Sequence, residues 1–117
     1  ARPVTTVSPQ SLLLMNNTTM REHAQDFARR VLAEAGDDVE KQAARAWSLA
    51  YGRSPSMADL HESSAFIQAQ TAHYQEHPAK LERSIGPAEK EDAPPALLGL
   101  AALCHALLSS NGFLYVD

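Results

Sequence analysis

The chain has a single cysteine, Cys104, so no disulfide can form within it and the fold must rest on packing alone. Aromatic residues are few: one Trp, three Tyr and three Phe among 117 residues. Val, Ile and Thr add only twelve more. Residues of these kinds suit pleated strands, and their scarcity excludes a sheet-dominated sandwich or barrel. Positive charge is also short, with ten Lys and Arg against fourteen Asp and Glu, a net charge of −4 with neutral histidines. Such a balance lacks the basic stripe that releases counterions from nucleic acid and the polybasic tract that holds acidic lipid. The longest strongly apolar run, residues 94–108, carries His105 and is too short to span a bilayer. Residues 1–4 have no initiator Met and no apolar signal core, and are expected to be a cut or processed end.

Alanine and leucine fill the space left by these absences, supplying 34 residues between them. Both lose little freedom in a helix. At 44% hydrophobic and 21% charged, the composition is that of a globular protein rather than a disordered one. The expected fold is all-α and a single domain over residues 1–117: an irregular bundle of four main helices plus a short N-terminal helix, with the last helix central and an extended C-terminal tail.

Ser8-Pro9 is a helix-start signal for the short leading helix, which Asn16-Asn17 interrupts. A second helix is expected over residues 20–35, where Met20, Ala24, Phe27, Val31 and Ala35 keep one face, with Gly36 ending it. Asp37 or Asp38 caps the third, whose stripe includes Ala43, Ala46 and Trp47, and Gly52 stops it. Ser56 and Asp59 resemble a capping box for a fourth helix over residues 57–76, closed by Pro78. Residues 80–95 hold three prolines and seven charges and read as a solvated, flexible connector. In the last helix leucines surround most of the circumference, the pattern of a central element, so Leu103, Leu107 and Leu108, with Trp47 and Phe27, should be buried.

Few constellations could carry chemistry. His73-Tyr74-Gln75-Glu76-His77 matches the H-x-x-E-H pattern of inverted zinc peptidases, in which two histidines at i and i+4 share a metal and the Glu acts as base. A third ligand would have to come from Glu82, Glu89, Glu91 or Asp92, and the simpler reading is a polar helix end. Cys104-His105 is half of a haem-attachment motif, but Ala101 stands at the first cysteine position. His61-Glu62 lacks the second histidine of a zinc motif, because Ala65 occupies its place. Trp47 reads as core. Arg53, in a tight turn, is expected to be a structural clamp that pairs with Asp59 or with Asp117 at the chain end. Leu12, Leu13 and Leu14, three in a row on a two-turn helix, should form an interaction surface. No cofactor is implied.

Three blocks carry a resemblance. Residues 5–10 (TTVSPQ) with Leu14-Met15-Asn16-Asn17, residues 49–55 (LAYGRSP) and residues 103–117 (LCHALLSSNGFLYVD) together resemble domain-of-unknown-function family 1553. Its patterns are T-x-x-P-Q-A-L-x-L-x-N, A-L-G-R-x-P-T-x-x-E and L-C-x-A-L-L-N-S-N-E-F-L-Y-V-D. Here Asp59 replaces a Glu, Thr18-Thr19 a Pro-Phe pair, and Ser109 and Gly112 an Asn and a Glu. The resemblance implies a C-terminal portion of a large exported protein of planctomycete type, often with cytochrome c-like modules upstream. It implies no catalytic or metal-binding residue. The expected role is a non-catalytic helical module that contacts the rest of its polypeptide, another protein or a second copy of itself, without nucleic acid and without membrane insertion. The rival readings are a metal-dependent hydrolase subsite at His73 and His77, and an accessory domain for electron transfer.

Overall fold

The structure, a computed structural model, describes residues 18–112. Helix α1 spans Thr18–Ala35, α2 Val39–Tyr51, α3 Met57–Glu76 and α4 Pro95–Gly112, and no strand occurs among the described residues. The expected leading helix with Leu12, Leu13 and Leu14, and the expected tail ending at Asp117, lie outside the described residues.

Local chemistry sets the boundaries. Gly36 takes φ 75° and its N–H bonds the Leu32 carbonyl at 2.9 Å, so α1 ends in left-handed backbone where a Cβ would be strained. Two residues later the Asp38 carboxylate accepts from the Glu40 and Lys41 N–H groups at 2.9 and 3.2 Å and opens α2. Gly52 closes α2 in the same manner, and Ser56 Oγ accepts from the Asp59 N–H at 3.0 Å to start α3. α3 ends at Glu76, with His77 as its C-cap and Pro78 next.

The core is unequal in residue size. α4 supplies Leu97, Leu100, Leu103, Cys104 and Leu107, whereas α1 and α2 supply mainly Ala24, Ala28, Ala43 and Ala46. Small residues on the outer helices make room for the leucines of α4, which packs against all three. Leu100 and Cys104 are fully buried, as a central helix requires. Trp47, Phe27 and Leu108 sit half-buried at the edge of the same cluster. At Gly99 the backbones of α3 and α4 come close: a Cβ there would overlap Thr71 Oγ1 and lie 3.0 Å from the Ile67 carbonyl oxygen.

Residues 80–94 have no helix and are mostly exposed, yet they fold back along α1. Glu22 of α1 accepts from the Ser84 hydroxyl and, at 2.9 Å, from the Ser84 N–H. These two hydrogen bonds, the hydroxyl's first, hold the Glu22 carboxyl below its usual range. Arg21 pairs with Glu82 at 3.3 Å, Lys80 with Asp92 at 3.5 Å and Arg83 with Glu89 at 2.9 Å. The Ala93 N–H closes the loop at its base on the Ala79 carbonyl, and Leu81 packs against the core. Charges that read as solvation in the sequence are the ties of this segment.

Candidate functional site

A cleft of about 350 Å³ opens between α1, α3 and α4. Ala24, Phe66, Leu98, Ala101, Ala102 and Ala106 give it apolar walls, and Arg21, Gln25, Tyr74 and His105 add polar groups. Its α4 wall recurs every three or four residues, so one side of that helix is presented to the opening. Phe66 keeps 38% of its surface exposed there. His105 Nε2 is buried and has no hydrogen-bond partner among the described residues. Burial first, and the positive charge of Arg21 second, hold the imidazole below its ordinary pKa and so keep it neutral. The mostly apolar lining suits the cleft to apolar contact.

On the opposite side of α3 a groove of about 370 Å³ is bordered by Leu32, Val39, Gln68, Thr71, Ala72 and Gln75, among others. Between the two, α3 faces solvent with Ala65, Gln68, Ala69, Ala72 and His73. Residues 63–75 include no Asp, Glu, Lys or Arg. Elsewhere the exposed surface is laced with ion pairs, such as Asp26–Arg29 at 3.0 Å and Glu34 with both Arg30 and Arg45 at 3.1 and 2.6 Å.

The histidine pair is together but unsupported. The His73 and His77 rings stack at 4.6 Å, both residues are exposed, and His77 Nδ1 lies 3.1 Å from the His73 carbonyl oxygen. Glu82, Glu89 and Asp92, expected as third ligands, pair with cations of the connector and α1 instead. Among the described residues no three His, Cys, Asp or Glu side chains gather to hold a metal. Cys104 sits in the core, where burial pushes its thiol up to about 12, so it is no nucleophile and no haem attachment point.

Arg53 does not pair with Asp59. No ion pair joins them among the described residues, and Asp59 is engaged through its backbone N–H at the α3 cap. The Arg53 guanidinium instead lies 5.2 Å from the Trp47 ring centroid and 5.6 Å from that of Tyr51. The turn at Gly52 sends the side chain back over the last turn of α2, where two rings four residues apart offer their faces to a cation. Asp117, the other expected partner, is outside the described residues.

A family model described as Protein of unknown function (DUF1553), PSD1, matches residues 1–67, more than half of the chain. The chain belongs to this family. No curated protein and no solved structure matches it. The DUF1553 match takes in the first two blocks of the resemblance, α1, α2 and the first half of α3. Residues 103–117, the third block, lie beyond it, as does α4 with its wall of the cleft.

Several pairings in this DUF1553 chain had no signal in its sequence. Trp47 Nε1 donates to Ser63 Oγ at 2.8 Å, which ties α2 to α3. Tyr51 and Ser110 share a hydroxyl hydrogen bond of 2.7 Å, which ties α2 to α4. A half-buried indole and phenol each gain from such a partner. The serines that satisfy them look, in sequence, like any other helical serine.

Proposed function

We propose that this DUF1553 chain is a non-catalytic helical module that docks, through the solvent face of α3, onto the remainder of a larger exported polypeptide. The observation that carries the reading is the uncharged exposed face over residues 63–75, in contrast to the ion pairs on the solvent sides of α1 and α2. Alanines at positions 65, 69 and 72 keep side chains short where a second helix would approach. Removing such a face from water costs little desolvation, since no charge must be stripped of its hydration. Parent polypeptide and export both rest on the family resemblance, whose members are much larger than this chain. Among the described residues no helix is long and apolar enough to cross a membrane.

Histidine-selective acylation tests the reading, because His61 and His73 flank the face and are exposed. Both should label readily in the chain alone and several-fold more slowly in the complete product of its reading frame. Equal labelling in the two would contradict docking through α3. Stoichiometric zinc that is lost on His73→Ala would replace this reading with the hydrolase.

A further inference from the structure

We propose that His73 and His77, at the C-terminal end of α3, form a two-histidine clip for a divalent d-block ion that favours imidazole, Cu(II) above all. This goes beyond the docking reading and stands without it. The two residues are four apart, so their side chains leave the same side of the helix end. Their rings lie nearly parallel, with 19° between planes and 4.6 Å between centroids, and both residues are exposed. His77 Nδ1 lies 3.1 Å from the His73 carbonyl oxygen. A carbonyl oxygen only accepts, so in this bond Nδ1 carries the proton and Nε2 keeps its lone pair. Metal-bound histidines are commonly oriented in this way, one ring nitrogen donating to a backbone carbonyl while the other meets the ion.

The pair is near the spacing that an ion needs. Bonds of roughly 2.0–2.1 Å to each nitrogen, at right angles, set the two nitrogens about 3 Å apart. Exposed rings reach that distance by tilting toward one another. Chelation supplies the affinity, because once one imidazole has bound, the second is already at hand at high effective concentration. Zinc centres take three or four protein donors, and no such group gathers among the described residues. Cu(II) binds nitrogen donors most tightly of the first-row divalent ions and accepts a tetragonal arrangement. Two histidines therefore suit copper better than zinc, with water completing the solvent side.

Titration of the full chain with Cu(II) tests the proposal, with electron paramagnetic resonance to count the bound nitrogens. The tightest site should take one ion per chain and show two imidazole nitrogens. His73→Ala and His77→Ala should each weaken it on the order of a hundredfold and leave one nitrogen. Combining His77→Ala with Gln75→His keeps five histidines but sets the pair two residues apart, on different faces, and should weaken binding as much. His23→Ala and His61→Ala remove exposed histidines that have no other histidine within a turn, and should change nothing. Helical circular dichroism checks that each variant is folded. Equal binding by the chain and the repositioned pair would overturn the proposal, as would an affinity that follows His23 or His61. Zinc that stays on His73 and His77 through purification would require a third protein donor, and would overturn the clip in favour of the hydrolase.

Discussion

Gly99 shows how a single atom decides a packing distance. In an exposed helix Gly→Ala stabilises by roughly 1 kcal/mol. Here the added methyl meets Thr71 and the Ile67 carbonyl oxygen of α3, so Gly99→Ala should instead destabilise, by about 1–3 kcal/mol. Urea unfolding midpoints give the sign directly. His105 offers a second test. Its pKa lies below the ordinary 6.5 in the folded chain, so the unfolded chain takes up the proton first as pH falls. Stability is then full above 6.5 and declines through the window between 6.5 and the folded value. Glu22 and Glu34, whose pKa values are lowered from 4.5, add their losses only below that value. Urea midpoints should therefore begin to drop as pH falls through 6.5, and drop less in His105→Gln; an equal drop in both would remove His105 as the cause. Neither residue could be assigned from sequence. Gly99 looks like a weak point in a leucine helix, and a histidine's burial depends on what packs across from it. Arg53 is the instructive case: its turn was legible, but the ring faces of Trp47 and Tyr51 won it from Asp59.

Element boundaries were the most legible feature, because each rests on neighbours in sequence. Gly36, Asp38, Gly52, Ser56 and Pro78 stand where the helices begin and end. The central place of α4 was legible too, since leucines around most of the circumference leave little of it to face water. The path of residues 80–94 was not. Its charges are compatible with solvation or with ion pairs, and only the position of α1 decides between them. Ser84→Ala removes the hydroxyl bonded to Glu22 and should loosen this segment without unfolding the bundle. Trypsin should then cut after Arg83 and Lys90 several-fold faster, while the thermal midpoint moves little. A large fall in that midpoint would mean that the segment supports the core rather than resting on it.

At the scale of the molecule, one leucine-rich helix is packed by three others, of which α1 and α2 turn alanines toward it and α3 turns Ile67. A core built this way leaves the outer helices free to differ on their solvent sides. α1 and α2 use that freedom for ion pairs, and α3 leaves residues 63–75 without charge. The alanines of α3 share one arc of the helix already in the sequence, but only the fold shows that this arc faces solvent rather than the core. Docking through that face is tested most directly by Ala69→Glu, which places a charge at an exposed position. In the chain alone such a surface change should alter stability by less than about 0.5 kcal/mol. The measurement is amide hydrogen exchange of α3 and α4, in the chain alone and in the complete product of its reading frame. The expected result is unchanged protection in the chain alone and faster exchange in the complete product. Equal effects in both, or none in either, would contradict an interface on α3.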